Sequence, residues 1–490
     1  VSFNLDVEER RAVMEAIFNN TSIDEDGLSE SCQNMLARYR EIPDIFPDDL
    51  ESEPLPFFAD WLIENVHLVE ITAYSDDVAY TIFETMNDRG LSLSPTDMLK
   101  GYVLANITDY NQRNQTNDVW KRYMKQLDEH GAETSSDFIK AWLRSQHARS
   151  IRARKKNSQP RDFERIGTGF HRWIKENTEQ LGLHSNADFV RFIQTDLDFF
   201  ARQYLLILDA SEHLRPGLER VHYVNRFGFT LPNMVLLAPL RPGDSDDVVR
   251  TKLQLVSHYV DMLITLRQWN YKTVSYSAMQ YAMFVVIQEI RHKVDVEDLA
   301  RTLHRLICAE PWTFTNDEPL ALHQRNRWFV ANVLARLTDY VETESGNPSR
   351  YTDLMAERTP NRYEIEHIWS VEHADHEDEF PYRGDFLSYR NHVGGLLLLP
   401  KKFNASYGKL PYEEKLPHYN TQNMLARSLH PQAYEHNPGF RQFVERSGLP
   451  FRPHEHFRKE DLDARQRLYQ EIAARIWNPD VLLETVGVER

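Results

Sequence analysis

Tyr363-Glu-Ile-Glu-His-Ile-Trp369, then Gly394-Gly-Leu-Leu-Leu-Leu-Pro400, then Asn404 is the run of residues on which the reading of this chain turns. The first stretch predicts a short strand whose end presents Glu366 and His367 side by side. Leu396–Leu399 predicts the returning strand, buried by its apolar run. Pro400-Lys-Lys-Phe-Asn404 leads into a helix, so a carboxamide arrives near a carboxylate and an imidazole. Histidine, with an unperturbed pKa of about 6.5, is largely neutral at working pH and can take a proton from water. A carboxylate and a carboxamide oxygen suit Mg²⁺ or Mn²⁺, which prefer oxygen ligands and keep several waters. In that order the residues make a kit for phosphodiester hydrolysis. His367 is the candidate general base, and Glu366 and Asn404 are the candidate metal ligands for a cation carrying the phosphate and the leaving oxygen. Lys401, Lys402, Lys409 and Lys415 flank them and are candidates to touch phosphates.

The bulk numbers bound the surroundings. At 490 residues the chain has room for about two to four domains. With 41% apolar and 27% charged residues, it has the composition of a soluble globular protein. No window approaches the roughly 18 apolar residues of a membrane helix, and no signal peptide is visible at the N-terminus. Two cysteines, Cys32 and Cys308, leave no disulfide framework and cannot alone build a four-ligand zinc site. The expected compartment is a reducing cytoplasm. A net charge of −17 argues against indiscriminate coating of nucleic acid but leaves room for a local patch. Arg144, Arg149, Arg152, Arg154, Lys155, Lys156, Arg161 and Arg165 offer one. It reads either as a solvated helix end or as a strip that contacts DNA phosphates.

Along the chain, Asp6 to Asn19 has helical periodicity, Ser29 caps a helix towards Tyr39, and 43–56 reads as a loop. His67 to Ala73 alternates as a strand, a helix follows through Asp76 to Thr85, and Asn87-Asp-Arg-Gly90 is a turn. Ser94-Pro95 opens the next helix. Helices then follow one another, among them Val119–Glu129, Ser136–Arg152, Ala187–Ile207, Asp247–Arg267 and Arg325–Tyr340. The turn cluster at Gly346 marks a boundary, and a last amphipathic helix runs from about Glu460 to Trp477.

Residues 363–418 resemble the C-terminal His-Me (HNH-type) nuclease domain of the GmrSD family of modification-dependent restriction enzymes. There a Glu-His-Ile strand precedes a Gly-Asn-Leu-x-Leu-Leu strand, an Asn-containing segment and a downstream lysine. The resemblance implies that Glu366 is the metal-binding acid, His367 the base and Asn404 the second ligand, with Lys415 at the lysine position. Arg465, Leu468 and Trp477 resemble the domain's closing helix, so the likeness spans roughly 350–480. One position departs: Gly395 stands where the family commonly has an Asn that braces the histidine loop. Asn391 and His392 are the candidates to replace it.

A second stretch, Ile82 to Lys100, resembles the latter part of the ParB-like N-terminal domain of the same family. Asn87, Arg89, Gly90, Asp97 and Lys100 are the nucleotide-binding candidates implied; the competing reading is a helix–turn–helix junction with Gly90 at its turn. The family's Asp-Gly-Gln-Gln-Arg motif is absent, as is any Gly-x₄-Gly-Lys-Ser/Thr loop. Residue 1 is Val, not Met, and the expectation is that the upstream half of this domain lies outside the chain, so that nucleotide triphosphate would need that missing motif.

The expected fold is mainly α with small α+β parts. It comprises a partial ParB-like region (1–105), a helical middle (106–345) and a C-terminal ββα-metal (HNH) nuclease domain (346–490). The expected activity is metal-dependent DNA cleavage in defence against phage or other foreign DNA, with DNA, modified or unmodified, as the implied partner, no membrane, and an oligomer left open. Two alternatives stand beside it: a decayed nuclease fold kept as a DNA- or partner-docking module, and an RNA-directed nuclease.

Overall fold

The computed structural model describes residues 10–23, 28–50, 53–67, 94–153, 155 and 157–489. The expected strand at 67–73, the helix at 76–85 and the turn at 87–90 lie outside the described residues, apart from His67. The chain divides into two compact units, Val1–Ile82 and Phe83–Arg490.

In the first unit, α1 (Arg11–Asn19) places Val13 against Cys32 and Leu36 of α2 (Glu30–Ile45), and Ser29 Oγ accepts from the Cys32 N–H at 3.4 Å as N-cap. The expected loop over 43–56 is shorter than its sequence suggests. Pro43 falls in the last turn of α2, where its missing N–H removes one hydrogen bond without ending the helix. The helix closes three residues later with Phe46 N–H donating to Ile42 O, and α3 (Leu55–Asn65) begins at the end of that segment.

Among its described residues the second unit is mainly helical, with one hairpin and an isolated bridge between Ala321 and His392. Its helices include α4 (Pro95–Ala105), α5 (Tyr110–Asp128), α6 (Thr134–Gln146), α7 (Asp162–Glu176), α8 (Asp198–Glu212), α9 (Leu231–Leu237), α10 (Asp246–Trp269), α11 (Tyr276–Ile290), α12 (Val296–Cys308) and α13 (Arg327–Glu344). α10 is the spine. From Leu255 to Leu266 it is buried on every side, as expected of a helix enclosed by others. Its one buried acid there, Asp261, collects Arg220 Nη1 (3.1 Å), Arg336 Nη2 (3.0 Å) and Trp477 Nε1 (3.0 Å). That cluster ties α10 to α13 and to the C-terminal end of the chain, with the acid satisfied by charged and neutral donors.

The helix expected over 136–152 stops at Gln146. The physical reason lies 16 residues away: Asp162 Oδ2 accepts from the backbone N–H groups of Arg149 and Ser150 (3.0 Å each) and draws the chain out of helix. Arg291 covers the end of α6, donating to the carbonyls of Ser145, Arg144 and Ala148 at 2.6–2.9 Å.

Among the described residues the sheet has two strands, β1 (Tyr363–His367) and β2 (Leu396–Pro400), paired antiparallel from Tyr363↔Pro400 to His367↔Leu396. Helix α14 (Lys401–Tyr407) follows β2 directly and packs on both strands. Helix α15 (Tyr412–Tyr419) comes next, and α16 (Lys459–Ile476) closes the unit. Leu396 to Leu399 are fully buried, with α13 packed against β2. Gln466 of α16 accepts from the Gly394 N–H at 2.8 Å, and Tyr469 O–H donates to Leu396 O at 3.0 Å. Gly394 allows this approach: a Cβ there would lie 2.4 Å from Gln466 N. The order strand, strand, helix is as the sequence predicts.

Candidate active site

Glu366 and His367 end β1, and Asn404 lies one turn into α14, whose Nδ2 donates to Ile365 O at 3.5 Å. The hairpin thus brings the three predicted residues to one place. Glu366 is almost fully buried. A Cβ at Gly408, the residue ending α14, would lie 3.5 Å from Glu366 Oε2 and 2.6 Å from the Asn404 backbone O, so the Glu366 carboxylate faces the turn of α14 that runs from Asn404 to Gly408. Asn404 Oδ1 is buried with no hydrogen-bond partner among the described residues. An unsatisfied buried acceptor costs about 1–3 kcal/mol, and here it belongs to the helical turn that the Glu366 carboxylate faces.

Lys415 is placed otherwise than its sequence suggests. Read as a surface lysine for phosphate, it is fully buried on α15 with its ammonium turned inward. Nζ donates to Glu366 Oε1 at 2.7 Å, to His367 O at 2.9 Å and to Ile368 O at 3.4 Å. Three acceptors use all three donors of an ammonium, and it neutralises the acid. Burial lowers the Lys415 pKa and raises that of Glu366, while each partner's charge acts in the opposite direction.

His367 Nε2 lies 2.9 Å from Asn391 Oδ1. With that oxygen as acceptor, the ring carries its proton on Nε2 and keeps a lone pair on Nδ1. Burial, followed by the Arg390 guanidinium, lowers the His367 pKa to about 4, so the imidazole is neutral at pH 7. Of the two candidates to replace the bracing Asn, Asn391 contacts the histidine. A Cβ at Gly395 would press on Leu462 Cδ1 at 3.0 Å.

Arg390 is a residue that motif spacing does not reveal. Its Nε donates to Trp369 O (3.0 Å) and Ser370 O (2.8 Å), holding the chain that leaves β1, and its charge acts on both Glu366 and His367. Lys401 and Lys402 are exposed on the first turn of α14.

The remaining candidates lie apart from these elements. Arg149, Arg152 and Lys155 are exposed on the segment between α6 and α7, while Arg154 and Lys156 lie outside the described residues. Arg144 leaves the expected strip: its Nε donates to Phe163 O at 3.0 Å and its guanidinium covers the Phe163 ring. Arg165 pairs with Glu176. Asn87, Arg89 and Gly90 lie outside the described residues. Asp97 sits in the first turn of α4, its N–H capped by Ser94 Oγ at 3.1 Å. Lys100 is half-buried, its pKa lowered by burial and by Lys121.

Residues 319–472 match the family model of the GmrSD restriction endonuclease C-terminal domain. Over that stretch the chain is similar to the GmrSD restriction endonucleases. None of the curated proteins and none of the solved structures matches the chain. The GmrSD match begins upstream of the turn at Gly346, and the structure gives a reason. Leu322 N–H donates to Asn391 O at 2.7 Å and Val393 N–H to Leu320 O at 2.8 Å. The 320–322 segment therefore holds the backbone of the residue that orients His367. The GmrSD domain is that of a restriction endonuclease, a hydrolase whose substrate is DNA. Among the described residues no helix is long and apolar enough to cross a membrane.

Proposed function

We propose that the C-terminal domain is an HNH-type nuclease that hydrolyses DNA phosphodiester bonds with a divalent cation, in defence against foreign DNA. This reading rests on Asn404 Oδ1, buried and without a partner among the described residues, on a helical turn that the Glu366 carboxylate faces, next to a neutral histidine whose Nε2 is held by Asn391. His367 takes a proton from water at Nδ1, while Asn391 fixes the ring and Arg390 fixes the chain that follows it.

Glu366 and Asn404 would hold the cation. Both offer oxygen, as Mg²⁺ and Mn²⁺ require, and among the described residues no group of three or more His, Cys, Asp or Glu could hold a metal. Such a donor set fits a cation that keeps waters and shares phosphate oxygens rather than one in an all-protein cage. When bound, the cation supplies Lewis-acid stabilisation of the phosphate and the departing oxygen. Lys415 keeps the buried Glu366 neutralised without it.

The N-terminal region is proposed as the ParB-like part that senses modification. The nuclease reading predicts that supercoiled plasmid is nicked or linearised with Mg²⁺ or Mn²⁺ and left intact with chelator. Intact plasmid under both metals, modified or not, would refute it. The Lys415–Glu366 ion pair favours one rival, a fold retained for docking, and that rival predicts DNA binding without cleavage under every metal.

A further inference from the structure

A cleft of about 490 Å³ runs beside the site, between the start of α13 and the outer part of β1. Its walls include Arg327, Trp328, Arg358, Arg362, Tyr363 and Ile365. Side chains alternate along a strand, so Tyr363 and Ile365 share a face of β1 with His367. The four steps from Tyr363 to His367 cover about 13 Å, and each DNA strand carries one phosphate per roughly 3.4 Å of axis.

The charges of the cleft are unevenly spent. Arg362 pairs with Glu364 at 2.9 Å, and Glu357, also on the wall, lies 3.8 Å from Arg226. Arg327 and Arg358 are exposed and have no hydrogen-bond or ion-pair acceptor among the described residues. In a chain of net charge −17, two unpaired guanidiniums on one cleft, beside a base and two oxygen donors, are suited to an anionic chain. A guanidinium presents a planar fork of donors that matches phosphate oxygens.

We propose that this cleft carries the DNA strand adjoining the scissile phosphate, with Arg327 and Arg358 on its backbone phosphates. The assignment of the scissile position to His367 rests on the nuclease reading above; the binding of DNA by the cleft is tested separately.

The test uses the full chain carrying His367→Ala, without metal, and a labelled DNA duplex whose anisotropy is followed from about 50 to about 200 mM NaCl. Each phosphate contact adds about 0.9 to the slope of log affinity against log salt. Adding Arg327→Ala and Arg358→Ala should therefore lower the slope by up to about 1.8, each lost contact removing about 3.5-fold of the weakening over that fourfold salt range. Arg327→Lys with Arg358→Lys, which keeps the charge, should restore the slope. An unchanged slope in the alanine variant, with unchanged melting, overturns the proposal, as does undetectable DNA binding by the His367→Ala parent. Tighter binding of an RNA duplex overturns the commitment to DNA. Plasmid cleavage by the wild-type chain, measured alongside, decides the other reading. A lowered slope without cleavage leaves the cleft and removes the nuclease, and cleavage with an unchanged slope does the reverse.

Discussion

Lys415→Met is the most instructive perturbation of the site, because it keeps the buried volume and removes the charge. Glu366 then faces two states. It can stay ionised without a partner, a situation that costs about 3–5 kcal/mol in buried pairs. Or it can take a proton, which from an ordinary glutamate value of about 4.3 costs 2.7 pH units at 1.36 kcal/mol each, about 3.7 kcal/mol at pH 7. Protonation therefore caps the electrostatic loss at about 3.7 kcal/mol at pH 7 and about 1 kcal/mol at pH 5. The carbonyls of His367 and Ile368 also lose a donor, and that part does not vary with pH. The destabilisation should thus shrink by about 2.7 kcal/mol on acidification. At about 2–4 °C per kcal/mol for a domain of this size, the Tm deficit should be about 5–11 °C smaller at pH 5 than at pH 7. Scanning calorimetry of wild type and variant in chelator at both pH values measures it. Adding Glu366→Gln should recover most of the pH 7 loss, since no carboxylate is then stranded. A Tm deficit equal at the two pH values would refute the ion pair as the cause.

Asn391→Ala should reduce the cleavage rate by up to about 100-fold through a misplaced imidazole. Asn391→Asp keeps an acceptor for Nε2–H and should move the acid limb of the rate profile to higher pH, because a carboxylate favours the charged imidazolium; an unmoved limb would count against the contact. Gly394→Ala puts a Cβ 2.4 Å from the Gln466 backbone nitrogen and should cost about 1–3 kcal/mol or more through displacement of α16, read as a lowered Tm. Burial also depresses His454 to about 4. Its contribution is present in full above an unfolded value of about 6.5 and drains away as pH falls towards 4, by about 3 kcal/mol. His454→Gln should accordingly flatten the fall of Tm between pH 7 and 4.

The hairpin was legible because its two signals are local and independent: a run of four leucines in β2, and an acid–histidine pair closing β1. Asn404 followed from its place at the start of the next helix. Lys415 was legible in position but not in direction. A lysine near a phosphate-handling motif is expected in solvent, and only the packing of α15 under β1 turns its ammonium towards Glu366. The brace on His367 could be narrowed to Asn391 or His392, but choosing between them requires the turn that carries Asn391 Oδ1 to the ring. Arg390 gives no signal in sequence, since its partners are backbone carbonyls about 20 residues upstream. The early end of α6 was equally hidden. It depends on Asp162, beyond the loop, taking two N–H groups that a helix would otherwise use. Arg144, counted with the basic strip by proximity in sequence, folds onto Phe163 because it lies on α6, ahead of that break.

Removal of the attacking water's proton by His367 is read from single-turnover cleavage of DNA by wild type and His367→Ala under saturating Mg²⁺ or Mn²⁺. The variant's rate should be lower by about 10²–10⁴-fold, with DNA affinity unchanged. A variant that cleaves at the wild-type rate would contradict that role.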